Sequence, residues 1–122
     1  MKFNASNYAN EKALNLLNNL GLLQFKNQPI KYLSKGQQAR VSFAKTIAQN
    51  ADIYIFDEPT ANLDSENANK MLEEIKRLAL DCLVIIAAHD EERYTEFASR
   101  IIELNKGLIN NDLVIKSNDK LI

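Results

Sequence analysis

Three short stretches of the chain carry residue types that can do chemistry together. The first is Asp57-Glu58, which closes the run Ile53-Tyr54-Ile55-Phe56 and precedes Pro59-Thr60. An apolar run ending in two adjacent carboxylates puts them at the tip of a buried strand. That is the C-terminal edge of a sheet, where open α/β proteins bind ligands. Asp57 is the candidate ligand for Mg²⁺, a hard cation that prefers oxygen and keeps several waters. Glu58 is the candidate general base, able to accept a proton from an attacking water. Pro59 stiffens the turn behind the pair. Alone, such a pair reads equally well as a solvated acidic turn.

The second stretch is Leu33-Ser34-Lys35-Gly36-Gln37. Ser34 followed three residues later by Gln37 is a capping-box pattern ahead of an apolar helix. The start of that helix offers unpaired N–H groups and the positive end of a dipole, which together attract phosphates. Gly36 leaves room for a ligand to approach the backbone. By itself this motif favours an ordinary helix cap. The third stretch is His89-Asp90, holding the only histidine of the chain. A neutral imidazole after a strand can bridge a phosphate and an attacking water. A lone histidine without context is more often filler.

The elements that must position these residues follow from periodicity. Ala13, Leu14, Leu17 and Leu20 recur at helical spacing over residues 10–20, and Gly21 stands where a C-terminal cap belongs. Residues 22–31 form a connector containing Pro29. A second helix is expected from Ser34 to about Asn50, with Val41, Ala44, Ile47 and Ala48 inward. A short strand follows over residues 52–56. A third helix is expected from Ser65 to Leu80, with Ala68, Met71, Leu72, Ile75 and Ala79 as its stripe. Residues 83–88 are a near-continuous apolar run, as for a strand buried on both faces. Residues 91–99 read as helix, and Asn105-Lys106-Gly107 as a hairpin turn between residues 100–104 and 108–110. The polar residues 116–120 read as loose. Strand, helix and apolar strand in that order imply a parallel βαβ unit, hence an α/β fold.

Composition bounds the rest. The 122 residues suffice for one domain, since domains run to roughly 100–200 residues. The hydrophobic share of 46% and charged share of 25% are those of a soluble globular protein. A net charge of −1 gives no bulk attraction to nucleic acid, and none is expected as a partner. The single cysteine, Cys82, cannot form an internal disulfide and fits a reducing compartment. No apolar stretch approaches the ~18 residues of a membrane span, and the first ten residues hold no signal-peptide core. The expected location is cytoplasmic, with any membrane contact made through a partner.

The order of these motifs resembles that of the ATP-binding cassette (ABC) ATPase family. LSKGQ comes first, then an apolar strand with DEPT, then ANLD, then an apolar strand with HD. The resemblance runs from the helix near Asn10 to the hairpin near Gly107 and corresponds to the C-terminal half of the family's domain. It implies a partial P-loop NTPase fold. Residues 1–50 would form the helical signature region, and residues 51–122 the α/β part with Walker B and the histidine switch. Ser34, Gly36 and Gln37 resemble the signature motif, which contacts the γ-phosphate of ATP held by the opposing subunit. Asp57 resembles the Walker B aspartate on Mg²⁺ and Glu58 the catalytic glutamate. Ala61-Asn62-Leu63-Asp64 resembles the D-loop, with Asp64 crossing the dimer interface. His89 resembles the switch histidine.

Two positions depart from the family pattern. Lys35 stands where a first glycine is usual; its charge suits a phosphate but opposes the helix dipole. Ala88 replaces a common threonine. Moreover, no G-x-x-x-x-G-K-[ST] occurs in the sequence, which has only three glycines. The resemblance thus implies ATP and Mg²⁺ as cofactors, with a site incomplete without Walker A. The expectation is a chain that hydrolyses no ATP alone, either a piece of a longer frame or a half-domain paired with a separate Walker A half. Removing the Walker A strand would bare an edge of the strand at residues 83–88. The leading function is an ATPase subunit of an ABC transporter. It would act with a second ATPase subunit and a permease at the inner face of the membrane. The alternatives are a non-transport ABC ATPase of the translation or DNA-repair type, and a non-enzymatic dimerisation module.

Overall fold

The computed structural model describes residues 5–90 and 92–115. The expectations for Glu91 and for residues 116–120 lie outside these. The chain divides into two compact units, one ending at Ala87 and one beginning at Ala88.

In the first unit, helix starts and stops are set by side chains close in sequence. Helix α1 (Ala5–Asn19) begins five residues before the expected start at residue 10. It stops at Gly21, whose φ of 68° suits glycine. There the Gly21 N–H donates to the Asn18 carbonyl at 3.0 Å and the Leu22 N–H to the Leu17 carbonyl at 2.7 Å. These two bonds form a Schellman cap, and they carry Leu20 and Leu22 into the core. Two short 3-10 turns, Leu23–Phe25 and Ile30–Tyr32, fill the connector. Helix α2 (Lys35–Ile47) starts at Ser34 as expected. Its buried residues are Arg40, Phe43 and Ala44, whereas Val41 and Ile47 are half-buried and Ala48 is exposed.

Strand β1 (Ile53–Asp57) pairs in parallel with β2 (Leu83–Ala87) through helix α3 (Ser65–Leu78), the expected βαβ unit. Along β1 the side chains alternate. Tyr54 and Phe56 turn inward, and Phe56 packs on Phe43 with ring centroids 5.1 Å apart. The Tyr54 hydroxyl accepts from the Ala51 N–H at 2.9 Å and donates to the Ile47 carbonyl at 3.1 Å, so burying the ring strands no polar group. Helix α3 buries Ala68, Met71, Leu72 and Ile75 as its stripe predicts, while Ala79 lies outside the helix and is exposed. Met71 and Ile75 are almost wholly enclosed, each worth about 1.5–3 kcal/mol of transfer free energy.

Strand β2 departs from expectation. Its apolar run suggested burial on both faces, but Leu83 and Ile85 are 56% and 47% exposed, beside Ile53 and Ile55 at 55% and 70%. Only Val84 and Ile86 are partly covered. The reason is that this sheet has two strands, and its described surroundings cover one face. The far edge of β2 has no partner strand among the described residues.

The described residues of the second unit form the helical turn α4 (Glu92–Thr95) and a hairpin of β3 (Arg100–Asn105) and β4 (Leu108–Val114). The helix expected over residues 91–99 thus closes early. The Ala98 N–H still reaches the Tyr94 carbonyl at 2.8 Å, but as a turn. Lys106 and Gly107 both have positive φ, 49° and 79°, the two-residue turn that matches strand twist. Strand β4 runs four residues beyond the expected end. The Arg100 guanidinium grips the Asp112 carboxylate with two bonds of 2.8 and 2.7 Å and holds the strands together there.

Candidate functional site

The start of α2 is built by reciprocal capping. The Gln37 N–H donates to Ser34 Oγ at 3.2 Å, and the Ser34 N–H donates to Gln37 Oε1 at 2.8 Å. The box satisfies one of the first-turn donors and leaves the neighbouring N–H groups at the helix start. Ser34 and Lys35 are exposed, and Gly36 and Gln37 half-buried. Gln38 braces the approach, its Nε2 donating to the Ile30 and Leu33 carbonyls at 3.2 and 3.1 Å. The arrangement is a firm, accessible helix N-terminus fit for an anion.

Asp57 is the last residue of β1 and is exposed. Glu58 steps off the strand in the left-handed region at φ 47°. Its N–H donates to the Ala87 carbonyl at 2.8 Å, one more bond in line with the β1–β2 ladder. The backbone then turns back, with the Ala61 N–H donating to the Glu58 carbonyl at 3.1 Å and Asn62 at φ 61°. Thr60 is buried beneath this turn. Two adjacent carboxylates therefore leave the sheet at one tip on a fixed backbone. No group of three or more His, Cys, Asp or Glu side chains able to hold a metal occurs among the described residues. The donors present fit a cation such as Mg²⁺ that takes one or two carboxylates and shares the rest of its shell with phosphates and water.

Asp64 is the N-cap of α3. Its Oδ1 accepts from the Asn67 N–H at 2.9 Å and its Oδ2 from Asn67 Nδ2 at 2.7 Å. These bonds, the backbone one foremost, hold its carboxyl below the usual range. The start of α2 lies against the turn before Asp64, since a Cβ on Gly36 would stand 3.4 Å from Leu63 Cδ2. The first unit thus holds Ser34, Lys35, Gly36, Gln37, Asp57, Glu58 and Asp64. His89 is exposed, two residues past the end of β2, and belongs to the second unit.

Sequence reasoning missed Arg40, which is only 6% exposed. Its Nη1 donates to the Leu20 carbonyl at 2.7 Å and its Nε to the Gly36 carbonyl at 3.4 Å. Burial pulls its pKa down, opposed by the charges of Asp64 and Glu66. The available signal was its place one helical turn after Gly36 on the same face.

Residues 1–61 match the family model for the ABC transporter. The chain is 37% identical to the arginine transport ATP-binding protein ArtM of Bacillus subtilis, over 85% of this chain and 44% of that protein. It is 35% identical to the phosphonates import ATP-binding protein PhnC 1 of Trichodesmium erythraeum, over 80% of this chain and 39% of that one. Among solved structures it resembles the dimeric post-hydrolysis state of the ATP-binding cassette MJ0796 bound to ADP and Pi. The TM-score is 0.76 at 28% identity, covering 96% of this chain and 50% of that one. The chain spans less than half the length of the two curated relatives.

Proposed function

The chain belongs to the ABC transporter family, and from that premise we propose that it is the signature-and-Walker-B half of a transporter ATPase. It works only when a phosphate-loop half completes the nucleotide site. The observation that carries the reading is the strand tip: Asp57 and Glu58 leave β1 together, with Glu58 tied by its N–H to Ala87. Asp57 would hold Mg²⁺, which when bound neutralises charge on the transferring phosphate. Glu58 accepts the proton of the attacking water, and the resemblance to the family gives His89 the part of the switch histidine. The start of α2, with Ser34, Lys35, Gly36 and Gln37, offers its N–H groups and the lysine charge to the γ-phosphate of ATP held by a second subunit. Asp64 stands beside it at the same interface. The sequence contains no phosphate loop of its own, so the residues given do not cradle the β- and γ-phosphates. No helix among the described residues is long and apolar enough to cross a membrane. In this reading, coupling to transport goes through a permease at the membrane's inner face.

The test is Mg-ATP hydrolysis by the purified chain alone, then mixed with a phosphate-loop half taken from a relative. Hydrolysis in the mixture only, abolished by Glu58→Gln, is the expected result. Hydrolysis by the chain alone would sink the two-part reading. A folded, mixed sample without activity would leave a dimerisation module as the better account.

A further inference from the structure

The buried guanidinium of Arg40 lies outside the roles assigned above, and its surroundings are specific. It bonds the Leu20 carbonyl at the end of α1 and the Gly36 carbonyl inside the first turn of α2. The same group closes on Gly21, where an added Cβ would stand 3.4 Å from Arg40 Nη1 and 3.2 Å from Lys70 Nζ. Lys70 is a residue of α3, held by Glu66 at 2.7 Å one turn after the Asp64 cap. A Cβ added at Gly36 would in turn stand 3.4 Å from the Leu63 side chain, just before that cap. One side chain therefore joins the end of α1 to the start of α2, with the charges at the start of α3 facing it.

We propose that Arg40 is a positioning residue that locks the Ser34–Gln37 helix start and the Leu63–Asp64 turn into one rigid wall. Its value to catalysis rests on the proposed function, since that wall is what a second subunit's ATP would meet. Arg40 itself touches no nucleotide. It acts by holding the Gly36 carbonyl, beside which Leu63 lies, and through the facing charges of Asp64 and Glu66 at the start of α3. The charges facing it are Asp64 and Glu66, which balance the guanidinium without displacing its carbonyl partners. Lysine keeps the charge but cannot present two donors in a fixed fork.

The first measurement is amide hydrogen exchange on the whole chain without nucleotide. It compares wild type, Arg40→Met, Arg40→Lys and a control, Val41→Ala, on the same helix. The Gln37 and Asn67 amides report the two caps, and the Leu83 and Glu58 amides report the sheet. Arg40→Met is expected to speed both cap amides about tenfold in step, with the sheet amides unchanged, and Arg40→Lys to fall between. Val41→Ala should leave the ratio of cap to sheet exchange at its wild-type value. Faster exchange at one cap only, uniform loosening, or no change would overturn the proposal. If Arg40→Met does not fold, the Arg40→Lys comparison decides alone. The second measurement is hydrolysis in the mixture with a phosphate-loop half, where kcat should fall with KM for Mg-ATP held. An unchanged kcat refutes the catalytic value of the wall. Absence of hydrolysis in wild type would refute the proposed function instead, and the exchange result would still decide the coupling.

Discussion

Replacing Gly36 by alanine separates what the signature turn does for folding from what it does for a ligand. Gly36 lies in the first turn of α2 with ordinary helical backbone. Its missing Cβ would meet one atom, Leu63 Cδ2 at 3.4 Å, an ordinary van der Waals contact. Neither strain nor overlap opposes the methyl, and alanine loses less backbone freedom on folding than glycine. The folded chain should gain about 0.4–1 kcal/mol. For a domain of this size that raises the thermal midpoint by about 2–5 °C. The same methyl stands among the N–H groups at the helix start and keeps a phosphate from closing on them. Hydrolysis in the mixture with a phosphate-loop half should therefore fall tenfold or more, about 1.4 kcal/mol of lost transition-state binding. Thermal melts and initial rates on one preparation give both numbers. A lowered midpoint would show that folding itself needs the glycine. A raised midpoint with full activity would show that nothing approaches the helix there.

Three further outcomes follow from the same geometry. Ser34→Ala removes the oxygen that accepts the Gln37 N–H, and urea unfolding should show a loss of about 1 kcal/mol. Phe56→Ala opens a cavity against Phe43 and Tyr54, and the loss should be about 3–5 kcal/mol, enough to leave much of the chain unfolded at 37 °C given ordinary domain stabilities. Hydrogen bonds from Asn67 depress the Asp64 carboxyl, so the stability it contributes is fully present above the ordinary carboxylate pKa. That stability drains away as pH falls below about 4 toward the lower folded value. Asp64→Asn keeps an acceptor without the titration, so its urea midpoint should drop less than wild type's between pH 5 and pH 3.

The local features were legible because short-range chemistry fixes them. Ser34 and Gln37 cap α2 through side chains three residues apart, and Gly21 ends α1 at the point its φ requires. The stripe on α3 was read almost residue for residue because one face of one helix carries it. The placement of Asp57 and Glu58 at a strand tip was legible from the abrupt change from apolar to acidic. Burial that depends on distant chain was not. Leu83 and Ile85 look like core in sequence, yet their exposure is set by which other strands and helices cover the sheet. Arg40 shows the converse, since a charged residue reads as surface until the carbonyls of Leu20 and Gly36 are seen to receive it. Phe43 was passed over because the expected stripe was drawn one residue away, through Ala44, and helix packing admitted both.

Glu58 sits in a backbone conformation that crowds its Cβ, costing about 1–2 kcal/mol relative to glycine. The consequence is an opposition between two kinds of selection. A library randomised at this position and sorted for thermal resistance should drift to glycine or asparagine. The same library sorted for ATP turnover in the completed assembly should return glutamate. On the proposed function, the position is therefore a place where sequences optimised by stability alone will discard the reaction, and a redesign that keeps that function holds residue 58 fixed.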